Sequence, residues 1–424
     1  MEDNARRKRR DLIQNIAIVV LSLSAVLLFA QSQIHNLISD QGMLTEHLSG
    51  TAPADSSAQQ VPLTAPVRVA VTGVYDRYGA YLTTDAEDFS DLGLLLKESL
   101  GSAGTLTPCR AEDFLSALSG TSVYYDFLSA LPLSILSELV GGEEDGAVYV
   151  RQLVLSAESG SVRLYTWDGE DTFLTCPVPP ISAEDLAEIA NNCSFDVAAF
   201  AFDEAELDPE YSRIAPCSLL LSESPPLPVL TAANPLTSTD QLLIDLGFNP
   251  STKNRYSDSS GTEIIGETNR SLQIKSNGDI LYQSGGDPAV EIDSSDDTPS
   301  LREAADGSAA LLRKLLGDLS GEADLYLVSV ERTGEITTLR FGYHINGVPI
   351  YYSDGGAAAE VTLTGTVVTE LSLRFRQYTV SGGESLLLPL RQALAIAAAS
   401  HQGAELSIGY ADNGADVSAQ WLAE

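Results

Sequence analysis

The residue types that usually carry out enzymatic chemistry are present in this chain, but not in the spacings that common reactions need. The Gly-x-Ser-x-Gly motif of a serine nucleophile is missing, and no serine stands three positions before any of the five lysines. A phosphate-binding loop needs a glycine directly before a lysine, and no lysine here has one. The sequence therefore predicts no catalytic residue, no cofactor-binding residue and no cofactor.

Histidines and carboxylates are the other candidates, as metal ligands or acid–base groups. The four histidines are not in His-Glu-x-x-His spacing: His35, His47, His344 and His401. Three acidic runs do not match a calcium loop: Glu143-Glu144-Asp145, Asp203-Glu204 and Asp296-Asp297. In so acidic a chain, neighbouring carboxylates occur by chance and are better explained as solvated loops. We expect no metal site, and a structural role for His344 at the end of a strand.

A more useful constellation lies near the N-terminus. Spacings of four, four, three and four put five residues on one face of a helix: Gln14, Ile18, Ser22, Ala25 and Phe29. Small and hydroxyl side chains let membrane helices approach closely, and an amide can hydrogen-bond across the contact. The pattern predicts a docking face for another transmembrane helix. The alternative is an inert anchor whose Gln14 lies at the membrane interface.

Such a face needs a membrane-spanning helix, which we assign to residues 11–31. Its apolar run, Leu12–Ala30, approaches the ~20 residues that cross a bilayer. Five basic residues precede it and predict a cytoplasmic N-terminus with the rest outside: Arg6, Arg7, Lys8, Arg9 and Arg10. A cleaved signal peptide is the alternative, but Leu28 stands where cleavage needs a small residue. We expect an uncleaved, single-pass signal-anchor in the cell membrane.

The part beyond the basic cluster is strongly acidic. The chain has 24 Lys+Arg and 59 Asp+Glu, a net charge of −35. Residues 1–11 hold five basic and three acidic residues, so the remainder has 19 basic and 56 acidic residues, or −37. Such a surface repels nucleic acid and anionic headgroups, which excludes nucleic-acid binding. A solvated acidic exterior is the expectation, although it also attracts cations or a basic partner.

Cysteine usage leaves the pairing open. The four cysteines permit three complete pairings, and free buried thiols are equally compatible with the spacing: Cys109, Cys176, Cys193 and Cys217. No Cys-x-x-Cys is present, which argues against a redox motif or a zinc ribbon.

Changes in composition divide the chain into segments. Residues 1–10 form the basic tail, and a polar helix with a small-residue stalk follows the span at 32–66. The remainder divides into an N-terminal α+β domain at 67–222, a small middle domain with an acidic connector at 223–299, and a C-terminal α+β domain at 300–424. Three prolines at 225, 226 and 228 suggest the first boundary.

Hydrophobic patterns predict an α+β fold of antiparallel sheets with packed helices. Ser300 and Glu303 form a capping box that begins a helix ending near Leu316. Asn277-Gly278 predicts a hairpin turn. Alternation predicts one long strand over Val367–Tyr378 with a covered and a wet face. The covered face has Leu371, Leu373 and Phe375, and the wet face has Glu370, Ser372, Arg374 and Arg376. Further predictions include a helix at Leu133–Val140, a strand at Phe195–Phe202 and a helix at Leu390–Ser400.

Three late segments resemble the YycH and YycI family of membrane-anchored regulators, and the length is more similar to YycH. They are Arg270–Tyr282 (RSLQIKSNGDILY), Phe341–Tyr351 (FGYHINGVPIY) and Leu406–Asp412 (LSIGYAD) followed by Trp421. The resemblance covers about residues 239–424 and the anchor, and Val67–Ser222 adds only matching length and element order. The very acidic outer part and the small-residue stalk depart from the family.

The resemblance implies a non-enzymatic extracytoplasmic protein that binds and modulates a sensor histidine kinase. The two-component system would control cell-wall metabolism in a Gram-positive bacterium, and a paralogous single-pass regulator is a further implied partner. The Tyr-x-Ile-Asn-Gly-Val-Pro-Ile segment also resembles PepSY or YpeB-like modules, which bind or restrain envelope proteases or cell-wall hydrolases. A third reading, an envelope enzyme using scattered carboxylates, lacks a nucleophile or metal motif. The sign of regulation, the ligand, the contact surface and the oligomeric state stay open.

Overall fold

Alternating buried and exposed side chains build most of this protein from antiparallel strands. Along Val367–Arg374, Leu371 and Leu373 are buried, and Phe375 directly after the strand is buried as well, whereas Glu370 is exposed. The covered and the wet face predicted for this stretch are therefore confirmed. The computed structural model describes residues 65–73, 79–86, 88–137, 148–193, 198–221, 227–285, 290–400 and 403–423, all within one compact unit, Val61–Glu424.

The first sheet has seven strands, and every pair in it is antiparallel. Its strands are β1 (Arg68–Thr72), β2 (Ala80–Thr83), β3 (Thr107–Pro108), β4 (Ser122–Pro132), β5 (Tyr149–Glu158), β6 (Ser161–Trp167) and β7 (Phe173–Ser182). Their order in the sheet is β2-β1-β4-β5-β6-β7-β3.

Helices cover both faces of this sheet. They are α1 (Phe89–Ser102), α2 (Ala111–Ser119), α3 (Leu133–Leu136) and α4 (Ala183–Asn192). Leu92 of α1 and Leu186 of α4 share a buried cluster with Val69 of β1. On the opposite face, Phe114 of α2 belongs to a second cluster with Tyr124 of β4.

A short connection joins this sheet to the rest of the chain. It contains β8 (Ala198–Phe200), α5 (Ala201–Ala205), a 3₁₀ helix (Pro209–Arg213) and β9 (Leu219–Leu221), with β8 and β9 antiparallel. Tyr211 belongs to a buried cluster with Leu394, which lies far along the sequence. Asp208 and Arg391 form an ion pair of 2.8 Å beside it. This connection therefore packs on the C-terminal part of the protein.

The second sheet has thirteen strands, in the order β11-β12-β13-β14-β19-β18-β16-β17-β21-β22-β10-β20, with β15 paired to β16. They are β10 (Pro228–Ala233), β11 (Arg255–Ser257), β12 (Glu263–Glu267), β13 (Arg270–Ile274), β14 (Asp279–Ser284), β15 (Asp324–Thr333), β16 (Ile336–Ile345), β17 (Val348–Tyr352), β18 (Ala359–Thr364), β19 (Val367–Arg374), β20 (Gln377–Glu384), β21 (Leu406–Asp412) and β22 (Asp416–Ala423). Strands of the predicted segments 223–299 and 300–424 thus share one sheet, and the boundaries between the predicted domains stay a prediction.

Three helices accompany the second sheet: α6 (Asp240–Asp245), α7 (Leu301–Leu316) and α8 (Leu390–Ser400). The capping box that begins α7 is confirmed, because Glu303 N donates to Ser300 Oγ at 3.2 Å and Ser300 N donates to Glu303 Oε2 at 2.8 Å. The backbone N–H groups of Ser300 and Ser295, together with the Ser295 hydroxyl, lower the pKa of Glu303 to about 2.

Three predicted elements differ from the structure. The helix expected at Leu133–Val140 ends at Leu136, because Ser137 is extended and its hydroxyl bonds the Leu100 carbonyl at 3.3 Å. In the described part of the strand predicted over Phe195–Phe202, the strand ends at Phe200, and a helix begins at Ala201. The strand expected over Val367–Tyr378 breaks after Arg374, because Phe375 N donates to the Gly278 carbonyl at 3.1 Å and the chain then pairs with β10.

The α+β class with antiparallel sheets is confirmed, with one parallel pair, β17 with β21, in the second sheet. The predicted span at residues 11–31 lies outside the described residues. Within the residues that are described, no helix is long and apolar enough to cross a membrane.

Four buried charges, here called the Glu405 network, join the two large sheets. In the first sheet, Arg68 of β1 contacts Asp126 Oδ2 of β4 at 2.8 Å from Nε and 2.6 Å from Nη2. Arg151 of β5 contacts Glu405, the residue before β21, with Nη2 2.8 Å from Oε2. Glu405 also lies 3.9 Å from Arg68, and none of the four side chains is more than 16% exposed.

The positive charges keep Asp126 ionised inside the protein. Burial alone would raise the pKa of Asp126, but Arg68 and Arg151 outweigh burial and lower this pKa below its ordinary value. Asp126 Oδ1 also accepts the N–H of Leu128 at 2.8 Å. Leu128 has a φ of 63°, which is unusual for a residue other than glycine. The network thereby fixes the irregular stretch where β4 and β5 change register.

His344 of β16 is buried, and this agrees with the structural role expected from the sequence. Its Nδ1 accepts the N–H of Gly347 at 3.4 Å, and its ring centroid lies 5.9 Å from that of Tyr326. Asn346 and Gly347 both have positive φ and form the tight turn to β17. Burial lowers the pKa of His344 to about 4.

Substitution of Glu405 by glutamine tests the network. The change leaves Arg68 and Arg151 with excess buried positive charge, so we expect the free energy of unfolding to fall by roughly 3–5 kcal/mol. The matched control is Glu360→Gln, which breaks the exposed Arg340–Glu360 pair of 2.7 Å. This control should change stability by less than about 1 kcal/mol. Urea unfolding measures both variants, and equally small losses would contradict the prediction.

The buried histidine predicts a pH dependence. An unfolded histidine has a pKa near ~6.5, so the unfolded chain takes up a proton between about pH 6.5 and 4 that the folded chain does not. Stability should therefore fall as the pH decreases through this window, by up to roughly 3 kcal/mol. His344→Asn keeps an acceptor for the Gly347 N–H and should remove this pH-dependent loss of stability. Urea unfolding at several pH values tests it, and equal slopes in the two proteins would refute it.

Candidate functional site: a polar cleft

Several chain turns meet at one end of the second sheet and leave a cleft that is open to solvent, with a cavity volume of about 280 Å³. This volume lies just below the roughly 300–1,000 Å³ that is typical of clefts for small molecules. We call it the polar cleft, and its main lining residues are Tyr352, Asp354, Arg374, Arg376, Asp412 and Asn413. They lie at the end of β17, at the break between β19 and β20, and at the turn between β21 and β22.

Arg374 is held in place on three sides. Its Nη2 contacts the two carboxylate oxygens of Asp354 at 2.9 and 2.8 Å, and its Nε donates to the Ala357 carbonyl at 3.0 Å. The guanidinium also lies over the Tyr352 ring, 4.2 Å from the centroid. Stacking and ion pairing together fix the direction of this long side chain.

Arg376 forms a two-point ion pair with Asp412. Nε lies 3.1 Å from Oδ2 and Nη2 lies 2.6 Å from Oδ1, while Nη2 also donates to the Gly414 carbonyl at 2.8 Å. Below this pair, Tyr378 donates its hydroxyl to Asp412 Oδ2 at 3.0 Å. Tyr352 and Tyr378 bring their hydroxyls to 3.1 Å. Asp412 is thus buried with a full set of partners.

Four ionisable groups of the cleft, Tyr352, Asp354, Arg376 and Tyr378, have pKa values displaced away from neutrality. The Gly356 N–H and then Arg374 lower the pKa of Asp354. Burial would lower the pKa of Arg376, but Asp412 outweighs burial and raises this pKa. Burial raises the pKa values of Tyr352 and Tyr378. These groups therefore keep one protonation state throughout the physiological range.

Sequence reasoning found part of this site. Alternation predicted that Arg374 and Arg376 follow the wet face of the long strand, and the structure brings both into the cleft. Asp412 was not predicted, because it depends on the parallel pairing Tyr352↔Asp412 between β17 and β21. The signal available in the sequence was a pair of acidic residues, Asp354 and Asp412, each at the end of a strand and followed by glycine within two positions.

The residues predicted to contact a membrane partner, Gln14, Ile18, Ser22, Ala25 and Phe29, lie outside the described residues, as does the basic cluster from Arg6 to Arg10. In the ranges that the structure describes, no group of three or more His, Cys, Asp or Glu side chains is arranged to hold a metal ion. All four cysteines are free thiols, and burial raises the pKa of Cys176 to about 11 and that of Cys217 to about 12.

Comparisons with known proteins assign no family to this chain. No protein-family model matches it, and no curated protein does. An uncharacterized protein from Eubacterium rectale ATCC 33656, with a crystal structure at 1.45 Å resolution, is similar at 13% identity and a TM-score of 0.32. The match covers 47% of this chain and 76% of that chain, and likeness at this level carries no argument about function.

The hydrogen bond between Tyr378 and Asp412 yields a prediction for the cleft. Tyr378→Phe removes a buried hydroxyl that serves both Asp412 and Tyr352, so the free energy of unfolding should fall by about 1–3 kcal/mol. Tyr256→Phe is the matched control, because Tyr256 is 62% exposed. The control should stay within about 0.5 kcal/mol of the unchanged protein. Thermal and urea unfolding measure the difference, and two equal effects would speak against the hydrogen-bond chain.

Proposed function

We propose that this protein is a membrane-anchored, extracytoplasmic regulatory protein that binds its ligand without converting it. In this proposal it modulates a sensor histidine kinase of a two-component system that controls cell-wall metabolism. The outer part recognises a ligand in the polar cleft. The anchor contacts the kinase, and a paralogous single-pass regulator is a second partner in the membrane.

The observation that carries the binding role is the state of the charges in the cleft. General acid–base catalysis works best with a group whose pKa lies near the operating pH. The pKa values of Asp354 and Arg376 are instead displaced away from neutrality, and both side chains are held in ion pairs. Groups fixed in this way orient hydrogen bonds and maintain a shape. This favours recognition of a ligand over proton transfer.

The proposal that a sensor kinase is the partner rests on the predicted anchor and on the family resemblance. The predicted face Gln14, Ile18, Ser22, Ala25 and Phe29 has the small and polar residues that support contacts between membrane helices. Sensor kinases present such helices in the same membrane. The resemblance of the three late segments to YycH points to this class of partner.

Site-specific photo-crosslinking in the membranes of the native organism tests the proposal. The full-length protein carries the crosslinking residue at Ala25, on the predicted face. The matched control carries it at Val20, which lies on the opposite side of a helix. We expect capture of a sensor histidine kinase from Ala25, several-fold above the yield from Val20.

Two outcomes would overturn this proposal. Equal crosslinking yields from Ala25 and Val20 would contradict the predicted docking face. Capture of an envelope protease or a cell-wall hydrolase in place of a kinase would support the PepSY or YpeB-like alternative instead.

A further inference from the structure

The polar cleft contains hydrogen-bonding groups that the protein itself does not use. Among the described residues, no hydrogen bond involves Nη1 of Arg374, Nη1 of Arg376, the Ser353 hydroxyl or the Asn413 side-chain amide. Ser353 and Asn413 are exposed at the edge of the cleft. The open groups therefore include donors and acceptors together, not one kind alone.

The charges of the cleft balance. Arg374 pairs with Asp354, Arg376 pairs with Asp412, and Lys275 lies 3.7 Å from Asp279 at the cleft edge. The lining itself has two arginines and three carboxylates, and Lys275, which pairs with Asp279 from outside the lining, brings the formal charge to zero. The outer part of the chain, in contrast, carries −37. An anionic ligand would meet three carboxylates and repulsion from the whole surface. A cationic ligand would have to compete with an arginine or a lysine for each carboxylate of the cleft. A neutral ligand avoids both costs.

The open groups fit hydroxyls. A hydroxyl donates one hydrogen bond and accepts two, so a polyhydroxylated ligand needs donors and acceptors side by side. Guanidinium groups that already have ion-pair partners are fixed donors, and hydrogen bonds from them are charge-assisted. An extended peptide would need pockets for alternate side chains. The cleft does not offer such pockets, because its lining is polar and Arg374 covers one face of the Tyr352 ring.

We propose that the polar cleft binds a neutral saccharide, with Arg374, Arg376, Ser353 and Asn413 as the hydrogen-bonding residues. This inference rests on the proposed function in one respect, since it takes the cleft as the ligand site of the outer part. The cleft is preorganised, because its two arginines are fixed before the ligand arrives, and little ordering remains to oppose binding.

Calorimetric titration of the purified full-length protein in detergent tests the inference. The probes are two neutral trisaccharides, N,N′,N″-triacetylchitotriose and cellotriose. The comparison ligands are trilysine, triglutamate and triserine, which represent a cation, an anion and a neutral peptide. We expect at least one trisaccharide to bind with a dissociation constant near or below ~1 mM. The three peptides should bind more weakly.

Variants connect binding with the cleft. Ser353→Ala combined with Asn413→Ala removes only exposed groups and should weaken trisaccharide binding by roughly tenfold while leaving the thermal midpoint unchanged. Asn254→Ala, at another exposed position, is the matched control. Arg374→Met should abolish measurable binding. Arg340→Met, which also removes an ion-paired arginine, should bind like the unchanged protein.

Three results would overturn the inference: no binding of either trisaccharide, tighter binding of any of the peptides, or equal affinity in the double variant and the Asn254→Ala control. The titration contains no kinase, and the crosslinking experiment contains no added saccharide. Kinase capture without saccharide binding would therefore reject only this inference. Saccharide binding without kinase capture would reject only the proposed regulatory role.

Discussion

The Glu405 network is the constraint on which the arrangement of this protein depends. It connects β1, β4 and β5 of the first sheet with the start of β21 in the second. β21 then runs seven residues, or roughly 20 Å, to Asp412 in the polar cleft. One strand thus begins at a buried ion-pair network and ends at another. Parallel pairing with β17 places Tyr352 beside Asp412, so the strand that joins the sheets also assembles the cleft.

Buried ion pairs are a costly way to join two sheets, because the desolvation of each charge offsets much of the attraction. Hydrophobic side chains of similar size would often hold such a contact as well. Ion pairs are directional, because Arg151 and Glu405 bond well in only one relative orientation, whereas apolar side chains pack in several. We infer that the network fixes the position of one sheet relative to the other more than it raises the free energy of unfolding. Asp126 fits this view, since the same carboxylate also fixes the backbone at Leu128.

Local patterns were predictable from the sequence, and distant pairings were not. The capping box of α7 depends on residues three positions apart, and the buried face of β19 depends on alternation along one segment, so both could be inferred. Arg68 and Asp126 are 58 positions apart, and nothing in a chain with 83 charged residues, 24 basic and 59 acidic, marks them as partners. The break after Arg374 escaped prediction for a similar reason. The alternation of buried residues continues through Phe375, one residue past the end of β19, so the hydrophobic pattern does not mark where the strand ends.

The two arginine pairs of the cleft differ in how easily they open, and this difference bears on regulation. Asp412 is 1% exposed as a side chain, whereas Asp354 is 60% exposed. An exposed pair contributes at most about 1 kcal/mol, so Asp354 can leave Arg374 at little expense, while the Ala357 carbonyl and the Tyr352 ring still hold the guanidinium. Opening the Arg376–Asp412 pair would leave a buried charge without a partner. A ligand affects a partner only through a difference in affinity between two states of the protein. Two states of the cleft would therefore differ at Asp354, with both arginines, Asp412 and the tyrosines beneath them as the fixed part of the site.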